Sequence, residues 1–222
     1  MPNITYRRTI LVCAPWAAGL AAASLTTVAH AHVGAEAGLG HTHDTFSSLL
    51  AGAAHPLTGL DHVAAMVSVG LWSALSFSKQ ASSPMGAARI LSAPLVFAAT
   101  LLMGALMALN GVTLPGVEPM IAASLLAMGL LVATRSALPT GMGAALVVGF
   151  ALFHGLAHGQ ELGGHAAAAL TGMVLSTLAL HAVGIAAGLA LRQRSRWLPR
   201  IAGIGVATLG LGLLTPAIAG AF

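Results

Sequence analysis

The sequence predicts an all-α membrane protein: a bundle of six transmembrane helices after a cleavable N-terminal signal peptide, with a short broken half-helix before the first span. Composition is the first reason. Hydrophobic residues make up 57% of the 222 residues and charged residues only 6%, whereas about a quarter of a soluble domain is charged. The second reason is that six apolar runs approach the roughly 20 helical residues needed to cross a bilayer.

The first thirty residues are typical of a secretory leader. Arg7 and Arg8 form a positive region ahead of an apolar stretch from Thr9 to Leu25. Ala29-His30-Ala31 then supplies an Ala-x-Ala cleavage site. An uncleaved first helix is the alternative. Cleavage would remove Cys13, the only cysteine, and would leave a mature chain without thiolate metal ligands.

The remaining chain divides into an exported tail and a transmembrane domain. The predicted domains are the signal peptide at 1–31, a periplasmic histidine-containing tail at 32–45 and the six-helix domain at 46–222. The predicted spans are Leu57 to Ser78, Arg89 to Leu109, Glu118 to Thr134, Gly141 to His158, His165 to Leu191 and Trp197 to Ala219. Phe46 to Ala54 is apolar but short, so we predict a half-helix that is broken at Pro56.

The basic residues predict how the spans are oriented. A cleaved leader leaves the mature N-terminus outside, so the first, third and fifth loops between spans face the cytoplasm. Those loops and the span ends beside them hold every Lys and Arg of the mature chain, as the positive-inside rule requires. The sequence thus predicts a bacterial inner-membrane protein with both mature termini in the periplasm, and scattered basic residues that serve topology rather than nucleic-acid binding. Three spans in each half would give the halves inverted orientations, as in many secondary transporters, but the halves are too dissimilar in sequence to predict a repeat.

Two clusters of ionisable residues lie at span ends that this topology places on the periplasmic side. His154, His158 and Glu161 are spaced by four and three residues, so a helix presents all three on one face. The second cluster surrounds the start of the first span and contains His55, Asp61 and His62. Because ionisable groups in a membrane are costly, they usually have a function.

The donor types of these clusters predict a divalent metal. Imidazole and carboxylate without sulfur suit nickel, cobalt, zinc, copper or iron(II) and disfavour copper(I). Glu118 begins the third span at the same level, where an acid also stabilises a helix N-terminus. The predicted metal-site residues are His55, Asp61, His62, Glu118, His154, His158 and Glu161. For His55 and His154 the alternative is to orient a ligand.

Five further histidines have weaker interpretations. The exported tail could capture periplasmic metal through its histidines, or these could simply be solvated; they are His32, His41 and His43. His165 is expected at the membrane interface. His181, within the fifth span, is either a relay on an exit path or a histidine bonded to a neighbouring helix, and we favour the bonded histidine.

These same residues resemble the signatures of the HupE/UreJ family, membrane proteins of nickel hydrogenase and urease systems that are regarded as nickel or cobalt permeases. Its His-Pro and Gly-x-Asp-His signature matches His55-Pro56 and Gly59 to His62, and its second signature matches Phe153 to Glu161. The resemblance covers the mature chain. It implies secondary uptake of Ni²⁺ or Co²⁺ from periplasm to cytoplasm, with a nickel-enzyme maturation system as a partner. The implied functional positions are His55, Asp61, His62, Glu118, His158 and Glu161, and Phe97 is a weaker match to a family aromatic.

Other functions remain as alternatives. A sensor or chaperone for a nickel enzyme would bind metal at the same ligands without transport. His181-x-x-Gly184-x-x-x-Gly188 resembles the histidine helix of rhomboid proteases, but the fourth span offers no Gly-x-Ser-Gly nucleophile. A haem carrier would need axial histidines, whereas acids cluster with the histidines here. The sequence contains no phosphate-binding Gly-x4-Gly-Lys loop, so we predict that ATP does not power the protein. We also predict no prosthetic group and no enzymatic activity.

Overall fold

The protein folds into seven α-helices over the residues that the computed structural model describes, which are 44–77, 83–162 and 164–219. The helices are α1 (Thr45–Thr58), α2 (Leu60–Phe77), α3 (Pro84–Leu109), α4 (Val117–Thr134), α5 (Thr140–Glu161), α6 (Ala166–Arg194) and α7 (Trp197–Ala219). The predicted signal peptide and nearly all of the predicted tail, including His32, His41 and His43, lie outside the described residues.

The prediction of six spans is confirmed, because α2 to α7 are each long and apolar enough to cross a membrane. Several boundaries differ from the predicted ones. α2 begins at Leu60 rather than Leu57, and α6 ends at Arg194 rather than Leu191. α3 begins at Pro84 rather than Arg89. The side chain of Ser83 accepts a hydrogen bond from the backbone N–H of Gly86 at 3.0 Å, and proline suits the first helical turn. α5 continues past His158 to Glu161, so the whole histidine motif is helical.

The predicted half-helix is confirmed as α1, but its break was placed wrongly. Pro56 is buried within the last turn of α1, and the chain becomes extended only at Gly59 (φ −100°, ψ 123°). Proline removes one backbone donor, and so close to the helix end this loss leaves the remaining turn in place. Thr58 Oγ1 donates to the carbonyl of His55 at 2.8 Å. His55 therefore stays helical, directly before α2.

The spans pack as three close pairs: α2 with α6, α3 with α5, and α4 with α7. Glycines allow the backbones to approach, since a Cβ at any of these positions would overlap the partner helix. Examples from the three pairs are Gly70 with Gly184, Gly104 with Gly155, and Gly129 with Gly203. Exchanging α2, α3 and α4 with α5, α6 and α7, in that order, gives the same three pairs. Two halves related by inverted symmetry would have this property.

α2 is the most buried span and lies at the centre of the bundle, in contact with α3, α4, α6 and α7. Its second half is tied to neighbouring segments by two hydrogen bonds. Trp72 Nε1 donates to the carbonyl of Ser136 at 2.9 Å. Ser73 Oγ donates to the carbonyl of Ile90 at 2.6 Å. These bonds fix the end of α2 that is remote from the predicted ligands.

Candidate metal site

Four histidines from three helices meet where α1 and α5 end and α2 begins. His158 lies at the centre of the group, with ring centroids 4.7 Å from His55 and 4.6 Å from His62. His62 is also 5.8 Å from His154 and 6.0 Å from His55. The structure thus brings the two predicted clusters, about a hundred residues apart in sequence, into one site.

The donor atoms form two overlapping triads. The peripheral triad consists of His55, His158 and Glu161, and the buried triad of His62, His154 and His158. In each triad one donor atom from every residue lies within 4.8 Å of the others. This spacing allows one cation to contact all three donors after small side-chain adjustments. His158 belongs to both triads and links them.

The triads differ in their access to solvent. In the peripheral triad the side chain of Glu161 is 40% exposed, and its Oε2 lies 2.9 Å from His55 Nε2. This contact lacks hydrogen-bond alignment, so His55 Nε2 has no hydrogen-bond partner within the described chain. In the buried triad, His154 and His158 are both 0% exposed. The two triads therefore offer a solvent-facing and an enclosed position for an ion.

Asp61 orients His62 rather than joining either triad. Its Oδ1 lies 3.0 Å from His62 Nδ1. A carboxylate only accepts hydrogen bonds, so Nδ1 of the neutral ring carries the hydrogen and Nε2 keeps a free electron pair. Gly59 leaves space for this pair, since a Cβ there would crowd both Asp61 and His62. Carboxylate support of this kind is usual for histidines that bind metals.

Ser124 of α4 fixes His154 in a similar way. The Ser124 hydroxyl donates to the carbonyl of Ile121 at 2.7 Å, so its oxygen is left to accept from His154 Nε2, 3.0 Å away. The neutral His154 ring then presents Nδ1 without a hydrogen, and this atom has no partner among the described residues. Asp61 and Ser124 each contact one nitrogen of a histidine, and so leave the other nitrogen of His62 and His154 free for the buried triad.

The glycines of the α5 motif hold the backbone that carries its histidines against α3. A Cβ at Gly155 would overlap the carbonyl of Leu101, and one at Gly159 would overlap the carbonyl of Ala105. Each glycine directly follows a histidine, so close packing on one side of α5 fixes the histidines that face another side. The motif therefore supplies both the donors and the glycine contact between α3 and α5, called the glycine seam, that positions them.

The other predicted residues lie outside the triads. Glu118 is exposed in the first turn of α4. His165 is exposed before α6, where its backbone N–H donates to Ser48 Oγ at 3.1 Å. His181 is buried, and Nδ1 donates to the carbonyl of Met66 at 2.7 Å, which confirms the predicted bond to a neighbouring helix. Its Nε2 has no hydrogen-bond partner among the described residues, so no described serine bonds to it as the protease alternative requires.

Sequence reasoning missed Ser124. It is a single hydroxyl in an apolar span, 30 residues before the histidine that it contacts. No spacing rule connects them, because their contact depends on how α4 packs against α5. Phe97 was noticed only as a weak resemblance, yet its ring lies 5.7 Å from that of His154.

The fold and the site together define a multi-pass helical membrane protein with a histidine and carboxylate constellation suited to a divalent transition metal. The profile of the HupE / UreJ protein family matches residues 20–213. The chain is also 38% identical over 199 residues to Protein HupE of Rhizobium leguminosarum bv. viciae, covering 88% of this chain and 94% of that protein. No solved structure matches it. The chain belongs to the HupE / UreJ family, which is associated with nickel and cobalt uptake for hydrogenase and urease.

Proposed function

We propose that this protein is a secondary carrier that moves Ni²⁺ or Co²⁺ from the periplasm to the cytoplasm. The observation that carries the proposal is the state of His158, which is fully buried while both of its ring nitrogens lack a hydrogen-bond partner in the described chain. An unsatisfied buried polar atom costs about 1–3 kcal/mol. A metal ion bound at either triad would satisfy one of these nitrogens.

The donor chemistry and charge suit a divalent ion of this kind. Imidazole nitrogen and carboxylate oxygen are ligands that Ni²⁺ and Co²⁺ accept. Asp61 and Glu161 also carry two negative charges at the site, which offset the two positive charges of the ion as it leaves water. An uncompensated ion in a low-dielectric environment would be strongly disfavoured.

The two triads suggest the order of binding. The ion first exchanges some of its water for the peripheral triad, where Glu161 is accessible. It then moves to the buried triad while His158 stays bound, so that His62 and His154 replace His55 and Glu161. A shared ligand avoids a step in which the ion has no protein donor.

The remaining predicted residues act before this exchange. Glu118 is exposed at the start of α4 and attracts cations electrostatically to the site. The histidines of the tail, His32, His41 and His43, collect metal in the periplasm. We propose the inner membrane as the location, with the triads opening to the periplasm, because all mature basic residues fall on the opposite side. A nickel-enzyme maturation system would use the delivered ion.

The test is accumulation of radiolabelled nickel and cobalt in cells that express the wild type, His158→Ala or Asp61→Asn at equal membrane levels. We expect the wild type to accumulate metal and both variants to lose most of that accumulation. Equal accumulation in all three would contradict the carrier function. Metal binding by the purified wild type without accumulation in cells would favour the sensor or chaperone alternative.

A further inference from the structure

His181 offers an unused ring nitrogen outside both triads. The side chain is 1% exposed, and its Nδ1 lies 2.7 Å from the carbonyl oxygen of Met66. Because a carbonyl only accepts, Nδ1 carries the hydrogen of the neutral ring and Nε2 keeps its electron pair. Nε2 is buried and has no hydrogen-bond partner among the described residues. Buried polar atoms are seldom left in this state.

Thr177 supplies a second unsatisfied polar atom beside it. It precedes His181 by one turn of α6, so the two side chains lie on the same face. Thr177 is fully buried, and its Oγ1 also has no partner in the described part of the chain. Helical threonines often donate to the carbonyl four residues earlier, as Thr171 does to Ala167 at 2.8 Å. The Thr177 hydroxyl is instead left free.

This position lies deeper in the bundle than the triads. Met66, the partner of His181, follows His62 by one turn of α2, about 6 Å along the helix axis. The ring of Phe97 connects the two levels. Its centroid is 5.7 Å from that of His154 and 5.2 Å from that of His181, which it meets edge to face. One buried aromatic ring therefore contacts a histidine of the buried triad and the deeper histidine.

We propose that His181 Nε2 and Thr177 Oγ1 form a second, weaker binding station for the same divalent cation, and that Phe97 is the barrier between this station and the buried triad. The proposal rests on the carrier function proposed above. One imidazole nitrogen and one hydroxyl, completed by water, bind a transition-metal dication more weakly than a triad does. Weak binding suits a site that must pass its ion onward.

Two substitutions separate this role from a structural one. His181→Asn keeps an N–H donor for the Met66 carbonyl but removes the Nε2 ligand. Thr177→Val removes the hydroxyl and keeps the shape of the side chain. Thr171→Val is the matched control, because Thr171 is exposed on the same helix and bonds only to its own backbone.

The full chain is purified and titrated with Co²⁺ by absorption spectroscopy, and radiolabelled nickel uptake is measured in proteoliposomes. Besides Co²⁺ held by the tail histidines, which all variants retain, the wild type should bind one tight and one weak equivalent of Co²⁺. His181→Asn should keep the tight equivalent with an affinity within twofold, lose the weak one and reduce uptake at least tenfold. Thr177→Val should reduce uptake about three- to tenfold, and Thr171→Val should match the wild type.

The outcomes distinguish this proposal from the carrier function. If His181→Asn retains both equivalents and wild-type uptake, the station does not exist, whereas the carrier function stands. If the wild type shows no uptake, the carrier function fails. Whether the weak Co²⁺ equivalent is present in the wild type and lost in His181→Asn then shows whether the station exists. Loss of the tight equivalent in a monodisperse His181→Asn protein would also overturn the proposal, because His181 would then support metal binding at the triads.

Discussion

The two faces of α5 differ in packing and in hydrogen bonding, although one short motif supplies both. On the face toward α3, Gly155 and Gly159 bring two backbones into direct contact. On the face toward α1 and α2, His154 and His158 stand between helices with ring nitrogens that lack hydrogen-bond partners in the described chain. One seam is closed and satisfied. The other contains buried histidine nitrogens without hydrogen-bond partners among the described residues, and a bound metal ion would satisfy them.

The difference shows how a membrane protein can keep a costly site. Tight packing of small residues fixes the backbone of α5 without polar interactions. The histidine face can then remain unsatisfied, because the stability of the bundle comes from other seams. Stability and metal binding should therefore respond separately to substitutions on the two faces.

The largest effect is expected on the glycine face. Gly155→Ala places a Cβ against the carbonyl of Leu101 and should destabilise the bundle by about 1–3 kcal/mol or more, as overpacking does. Gly149→Ala is the control on the same helix, because nothing lies within 4 Å of a Cβ there. Thermal unfolding in detergent measures both. Equal stability of the two variants would show that the seam between α3 and α5 is looser than described.

On the histidine face, His158→Leu should separate binding from stability. The leucine fills a similar volume and removes two unpartnered buried nitrogens, so the metal-free protein should be as stable as the wild type or more so. Co²⁺ affinity should fall about 100-fold or more. This exceeds the roughly 10–100-fold loss that follows substitution of a residue that only hydrogen-bonds to a metal ligand. Saturating Co²⁺ should raise the melting temperature of the wild type more than that of the variant, which keeps only the weaker station at His181. A less stable metal-free variant would mean that His158 supports the fold.

A smaller effect is expected for Ser124→Ala, which removes the partner that sets the His154 tautomer. Co²⁺ affinity should fall about tenfold, at the lower end of the range for such partners. Ser92→Ala is the control, since Ser92 is exposed and its hydroxyl donates to the carbonyl of Arg89. Isothermal titration compares the three proteins. Unchanged affinity in Ser124→Ala would show that Ser124 does not position His154 for metal binding.

The smallest effect on binding is expected for Glu118→Gln, because Glu118 lies in neither triad. Equilibrium Co²⁺ affinity should change less than twofold, while nickel uptake at low ion concentration should slow because fewer cations are attracted to the site. Glu161→Gln is the contrasting variant and should lower affinity itself. A large loss of affinity in Glu118→Gln would make Glu118 a direct ligand.

Much of the fold followed from local sequence patterns. Length and apolarity predicted all six spans, and the four- and three-residue spacing in α5 predicted the shared face of His154, His158 and Glu161. The error at Pro56 was also local. Whether proline breaks a helix depends on how near the helix end lies, and Gly59 rather than Pro56 ends α1.

The sequence by itself determined which donors the protein has, on which helices they lie and at which helix ends, because helical periodicity and hydropathy act over short stretches of chain. Only the tertiary structure decided that His158 is shared by two triads, that Ser124 sets the tautomer of His154, and that His181 faces Phe97. These contacts join residues that are 30 or more positions apart, except that His158 also meets His154 and Glu161 of its own helix. They depend on how far each helix is rotated and shifted against its neighbour. The close glycine contacts between paired helices set this geometry, and the sequence of one span cannot specify it.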